Sequence, residues 1–407
     1  MRALRQHRHH ESWQTVFANA LFSQLLVSSL LTPSLIHSQF TATSPRASGA
    51  SGVGTVLATI PVGAGPTTLS YDPVDKSIFV ANSGGSISVI DGSSLQLKTT
   101  IPLPAPPIDM SYDNTSDEVY VVGAKGIVSA IGGGSDVVVD NLTIAVTSYP
   151  SQNDLEGVTY DFRNHDLYVT ALKSTNVTLV DSVSNRISGS ISTNCSMTEL
   201  RYDPENRLVY ALDSFQGQGI CVLNSTTSTM SSYISEPVMA VPQDVLFNFE
   251  SDEVFIVNEF LRTIWVLNGT TDQLIRSFPV SGFPLAAAFD SWNNRLYITT
   301  TYSPYAEGAG NVSIINVTSG STVGRIQVGN SPYGIAFDSG TGMLYAANWG
   351  SNDVSVISPN ATNSSGEPPS EFLWLLGNEG YAVLSLIIIA AAGVVIFTVR
   401  RKSKGRR

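Results

Sequence analysis

The sequence predicts an all-β chain folded as a seven-bladed β-propeller, and three observations predict it. A twelve-residue pattern recurs seven times. Its copies are spaced by 41 to 48 residues, a period that matches one four-stranded blade per copy. The last copy lacks a fourth strand, and one stands without a unit of its own before the first copy.

Each copy turns on an acidic or amide pivot: Asp72, Asp113, Asp161, Asp203, Asn248, Asp290 and Asp338. An aromatic follows seven residues later, at Phe79, Tyr120, Tyr168, Tyr210, Phe255, Tyr297 and Tyr345. In the first unit, residues 67–71 alternate in polarity and end at Asp72-Pro73, a turn signal. Residues 77–81 and 86–90 supply two further strands, Asp91-Gly92 turns the chain again, and residues 98–101 give the fourth. An Asp at such a pivot hydrogen-bonds its own turn backbone. The recurring aromatics are expected to fill the space between blades.

Outer strands for units two to six are expected at residues 137–144, 186–191, 229–234, 274–278 and 322–326. Unit seven ends near residue 358 without one. Residues 55–60 supply it, and the following Val62-Gly63-Ala64-Gly65-Pro66 matches Val328-Gly329-Asn330-Ser331-Pro332. The N-terminal strand is therefore expected to complete the last blade and remove the exposed sheet edges.

The Val-Gly-x-x-Pro, Phe/Tyr-Asp and Tyr-Val/Ile/Ala pieces, best kept in residues 62–82 and 328–348, resemble the YVTN-type β-propeller family of archaeal and bacterial surface proteins. The resemblance spans about residues 53–358. It implies the propeller fold and says little about activity. Asn248 in place of Asp, and the missing Asn after the second strand in units two to four, depart from the pattern.

The ends suggest a location. Residues 1–38 carry a basic start and an apolar stretch over residues 16–36, the layout of a signal peptide or an uncleaved signal anchor. Residues 39–52 form a linker, residues 53–358 the propeller, and residues 359–380 a stalk. Residues 381–399 hold no charge, which is enough to cross a bilayer as one transmembrane helix. The tail, residues 400–407, has six Lys and Arg. Positive charge stays in the cytoplasm, so the propeller is expected outside the cell.

Ten Asn-x-Ser/Thr sequons fit an exported glycoprotein: Asn114, Asn141, Asn176, Asn194, Asn224, Asn268, Asn311, Asn316, Asn360 and Asn363. Between residues 38 and 377, 13 Lys and Arg face 31 Asp and Glu, a net charge of −18. That acidity argues against nucleic acid as a partner. Cys195 and Cys221 both fall in unit four. A strand lies between them, which is expected to hold them beyond disulfide reach unless the loop before Met197 is loose.

Much chemistry is excluded. His7, His9, His10 and His37 lie in the targeting region, leaving only His165, which reads as a turn residue. One histidine cannot build a multi-His zinc site. No nucleophile-elbow, zincin or P-loop motif is present. The Gly132-Gly133-Gly134 run reads as a turn between strands.

Two constellations remain. Asp109, Glu199 and Asp244 share the position four residues before the pivot, where the inner strand begins, and Glu156 stands beside it. Such an oxygen-rich set at the channel mouth suits Ca²⁺ or Mg²⁺. The loops between second and third strands carry Phe215 in unit four, Phe260 and Arg262 in unit five, Tyr302 and Tyr305 in unit six, and Trp349 in unit seven. Units one to three have no aromatic there. Aromatics and Arg anchor interfaces, so these residues are expected to form a ligand-binding crescent. Sugars at Asn114, Asn224, Asn268 and Asn316, on the opposite face, would leave it open.

The expected function is non-catalytic: a membrane-held surface protein for adhesion, envelope assembly or capture of a glycan or protein. The alternative is a metal-dependent lactonase- or lyase-like enzyme, an activity that the resemblance brings in and that would need the carboxylate set.

Overall fold

A computed structural model describes residues 54–145, 154–213, 219–235, 240–302 and 308–359. Residues 1–53 and 360–407, where a targeting segment, a stalk and a transmembrane helix are expected from the sequence, lie outside the described residues. Among the described residues no helix is long and apolar enough to cross a membrane.

The strands form seven four-stranded antiparallel sheets. Six are built from consecutive strands. Blade one, for example, runs Pro66–Asp72, Ser77–Asn82, Ser86–Asp91 and Gln96–Pro102 from axis to rim. The seventh takes Pro332–Asp338, Met343–Asn348 and Asp353–Ser358, and its outer strand is Thr55–Pro61 from the other end of the described chain. Thr55 pairs with Ser358 and Pro61 with Asp353, so the ring closes by main-chain hydrogen bonds as the strand count predicts. Beyond this strand, Gly65 and Ser331 both have positive φ, 65° and 50°, immediately before Pro66 and Pro332. The matched sequence pieces thus make the same turn, and a Cβ on Gly65 would strike Ser83 and Trp349.

The recurring positions have structural work. The Oδ1 of each pivot aspartate accepts backbone N–H groups two and three residues on, at 2.8 and 3.3 Å for Asp72 and 2.8 and 3.1 Å for Asp338. Asn248 departs here too, since its Oδ1 is buried without a hydrogen-bond partner. Four residues after every pivot the chain enters the left-handed region, from φ 50° at Asn294 to 71° at Gly342. His165 occupies this position in blade three, with Nδ1 3.2 Å from the Tyr160 hydroxyl. The sequons at Asn224, Asn268 and Asn316 serve a parallel purpose. Each Oδ1 caps the turn between third and outer strands, as Asp91 does in blade one. Turn chemistry therefore accounts for the Asn at these places.

The seven aromatics are the largest fully buried side chains among the described residues. Each joins its own blade to the next. Phe79 packs with Met110 and Val119, Tyr120 with Val158 and Tyr160, and Tyr168 with Leu200 and Tyr202. Tyr210 meets Val245 and Val254, Phe255 meets Leu296, and Tyr297 meets Ile335 and Leu344. Tyr345 closes the circle against Ile78 and Val80 of blade one.

The cysteines correct the sequence reading. Cys195 and Cys221 are bonded, with Cα atoms 6.6 Å apart, inside the range a disulfide accepts. Blade four has a short inner strand, Leu200–Asp203. The irregular chain before it lets Cys195 pass over the second strand to Cys221, and both are fully buried among Val177, Met197 and Leu223.

The aromatic hydroxyls differ in a measurable way. Tyr210 donates to Asp272 Oδ1 at 2.9 Å, whereas the Tyr345 hydroxyl is buried without a partner. Tyr210→Phe is expected to cost about 1–2 kcal/mol, and Tyr345→Phe to leave stability unchanged or raised. Urea unfolding of the two variants distinguishes them, and an equal loss in both would contradict this account.

Candidate functional site

Inner strands of adjacent blades neighbour one another around the ring, so they surround its axis. Several begin with a break in register, between Pro107 and Asp109, Leu155 and Gly157, and Pro242 and Asp244. A bulge re-aims side chains, and here it sets Asp109 and Asp244 across to the next blade. Asp109 Oδ2 accepts the Val158 N–H at 3.1 Å, and Asp244 Oδ2 accepts the Ala287 N–H at 3.0 Å.

The structure brings Asp109, Glu199 and Asp244 together, and the group that gathers them is Arg201. Its Nη1 lies 3.4 Å from Asp109 Oδ2 and its Nε 4.0 Å from Asp244 Oδ1, and Nη2 pairs with Glu199 Oε1. A guanidinium thus supplies, at the centre of the cluster, the positive charge expected of Ca²⁺ or Mg²⁺. Asp109 Oδ2 also takes the Val158 N–H, and the two Asp244 oxygens accept backbone N–H groups, from Val245 at 2.8 Å and Ala287 at 3.0 Å. With that charge already in place, the set does not fit a metal. Sequence reasoning missed Arg201 although a signal existed. It alone is charged among the residues two before the pivot, where the others are Ser70, Ser111, Thr159, Leu246, Ala288 and Ala336.

Glu156 stands apart from this ion cluster. Burial raises its carboxyl to about 8, with the Asp154 charge adding to the shift. Glu259, which follows the second strand of blade five, is raised to about 7 by burial against the opposing pull of Gln243, whose Nε2 donates at 2.6 Å. Glu199 is pushed up by burial, and the Asp244 and Asp109 charges reinforce this against Arg201. These burial effects are moderated by channel solvent. The Glu199 and Arg201 side chains remain 26% and 30% accessible, unlike Asp109 and Asp244 at 7% and 9%. Tyr333, at the start of the inner strand of blade seven, feels Glu259, Glu199 and Glu156 together, which ties these groups to one opening. Its phenol is raised to about 12, chiefly by burial, although its ring is 44% exposed.

The aromatic crescent is arranged differently from a row of free rings. Phe215 and Tyr305 lie outside the described residues. Phe260 packs edge-on against Phe283 with centroids 6.1 Å apart, and the Arg262 guanidinium covers the same ring at 4.1 Å. Trp349 is half-buried, its indole N–H edge against Gly65. Tyr302 is 78% exposed, and its hydroxyl accepts from Asn311 Nδ2 at 3.3 Å. Tyr333 is an aromatic that the loop pattern does not mark, because it stands at the inner-strand position of Glu156, five before the pivot, and not in a second-to-third-strand loop.

No family model matches the chain, and no curated protein does. Solved structures resemble it. Hydrazine synthase of Kuenenia stuttgartiensis has 15% identity over 72% of this chain and 95% of that one, with a TM-score of 0.63. The β-propeller domain of Cps50 (Swd1) from Myceliophteria thermophila has 10% identity over 75% and 99%, with a TM-score of 0.62. Raptor of Chaetomium thermophilum has 13% identity over 76% of this chain and 29% of that chain, with a TM-score of 0.62. At such identities the likeness is one of fold.

The raised carboxyls make stability depend on pH. Glu156 and Glu259 bind protons more tightly folded than unfolded, where the ordinary value is 4.5. The folded state therefore holds the extra protons above pH 4.5 and releases them by about pH 8. Stability is expected to fall as pH rises through this window. Glu156→Gln with Glu259→Gln should flatten the curve and gain most at its alkaline end. Thermal unfolding across the window checks this, and parallel curves for wild type and variant would refute it.

Proposed function

We propose that this chain is a membrane-held, extracellular β-propeller of the YVTN type that binds a cationic ligand, such as a basic segment of another surface protein, without catalysing a reaction. The observation that carries the reading is the charge at the channel mouth. Asp109, Glu199 and Asp244 meet a single guanidinium, Arg201, and Glu156 and Glu259 add two further carboxyls whose field reaches Tyr333 together with that of Glu199. A concave wall of one sign concentrates field and draws in opposite charge. Tyr333 and Tyr302 add exposed rings, whose faces attract ammonium and guanidinium groups.

The sequence supports the location. An apolar N-terminal segment, ten sequons, the uncharged residues 381–399 and the basic tail agree with one span and an outward propeller. Arg201 weighs against the metal-dependent enzyme, because three of the four carboxylates that would hold the metal, Asp109, Glu199 and Asp244, already face its guanidinium.

An oligolysine peptide titrated into the protein is the direct test. Glu156→Gln with Glu259→Gln is expected to weaken binding about tenfold, ~1.4 kcal/mol. Tyr333→Ala should weaken it with little change in stability. Affinity should also drop with added salt, and drop as pH falls from about 8 through 7, where these two carboxyls take up protons. Affinity indifferent to both variants and to salt would end the proposal. Protease added to intact cells should remove the propeller while sparing the basic tail, and full protection would overturn the outward orientation.

A further inference from the structure

On the face opposite the channel mouth, Asp72 and Asp75 of blade one meet Asp117 of blade two. One carboxylate oxygen from each lies within 4.8 Å of the other two. The cluster arises from a single departure in the repeat. Three residues after the pivot, other blades place a donor for the second pivot oxygen. Ser116 Oγ donates to Asp113 Oδ2 at 2.8 Å, Asn206 Nδ2 to Asp203 Oδ2 at 3.0 Å, and Asn293 Nδ2 to Asp290 Oδ2 at 2.6 Å. Blade one has Asp75 there, which brings an acceptor in place of a donor.

The result is a buried oxygen without a partner. Asp72 is fully buried, its Oδ1 serves the turn amides, and its Oδ2 has no hydrogen bond. The Tyr112 hydroxyl lies near Asp72, but its one proton goes to Asp117 Oδ1 at 2.9 Å. Asp161 Oδ2 is also unpartnered, yet among the described residues no second and third acidic group gathers around it.

Blades four and five show what the missing group does. Asp252 occupies the turn position of Asp117, four after its pivot, with φ 52° against 58°. There the Asn206 amide bonds Asp203 Oδ2 at 3.0 Å and Asp252 Oδ1 at 2.9 Å, one nitrogen between two carboxylates. Blades one and two have the same two carboxylates and a third in place of the amide. The glycines of blade two keep the space open. A Cβ on Gly133 would stand 2.5 Å from Asp117 Oδ1 and 2.8 Å from Asp72 Oδ2, and one on Gly134 3.0 Å from Asp75 Oδ2. Lys98, the neighbouring cation, is held by Asp136 at 2.7 Å.

We propose that Asp72, Asp75 and Asp117 bind a divalent cation, Ca²⁺ in preference to Mg²⁺, that ties blade one to blade two. Two oxygens on one Ca²⁺, each at about 2.4 Å, stand at most about 4.8 Å apart, which the cluster satisfies. Mg²⁺ demands tighter octahedral geometry. Asp75 is exposed, so a hydrated ion has a route in and waters complete its shell. Three protein ligands place the site in the weak, extracellular class, on the order of 10⁻⁴–10⁻³ M.

The test is a Ca²⁺ titration of the whole chain by calorimetry, with thermal unfolding in Ca²⁺ and in chelator. Wild type is expected to bind Ca²⁺ and to melt higher with it. Asp75→Asn should lose both responses and, in chelator, melt at or above wild type, because its amide does what Asn206 does. Asp117→Asn is a second variant, which should lose Ca²⁺ heat if Asp75→Asn does not fold. No Ca²⁺ heat in wild type, or undiminished heat in the variants, would overturn the proposal.

Discussion

A four-stranded blade has two apolar faces, and the neighbouring blades are the surfaces available to cover them. No blade is complete alone, and the ring holds only when every interface is filled. The aromatic seven residues past each pivot does the filling, from Phe79 between blades one and two to Tyr345 between blades seven and one. Because the interiors are close-packed, these rings set the angle between blades and hence the number that closes a circle. The closing strand then answers a separate need, since without it Asp353–Ser358 would present an unpaired edge.

This constraint explains why the fold was legible and the site was not. Packing between identical interfaces repeats, so period, pivot and aromatic announce the architecture in a single sequence. The strand before the first unit was equally plain once strands were counted. A site depends on what one blade sends to another, and no local pattern records that. Asp109, Glu199 and Asp244 could be aligned by position, and Arg201 is the one charge two residues before a pivot, but nothing in the spacing says that the four converge. Phe260 and Arg262 looked free because Phe283, which they cover, belongs to the next blade. The disulfide was misjudged because the short inner strand of blade four, ending pairing early and freeing Cys195 to cross, has no mark in the spacing.

The two faces of the ring place acidic groups under different rules. At the channel mouth, carboxylates from three blades share one guanidinium, and channel water moderates what remains. On the turn face each carboxylate belongs to a hydrogen-bonded turn whose donors are the default, so one Asp in a donor's place changes the local balance. The same residue type is therefore tolerated as an excess on one face and stands out as an exception on the other.

The antiparallel register of the closing strand also bears on mechanics. With Thr55 opposite Ser358, the chain enters and leaves blade seven at the same corner. Tension applied between the two ends would load the pairing one hydrogen bond at a time, as a zipper is opened, and the ring would part there first. Tension shared by both ends would pull on that corner as one point and leave the seam unstressed. A propeller closed in this way resists force well when its two ends are fastened side by side, and poorly when they are drawn apart.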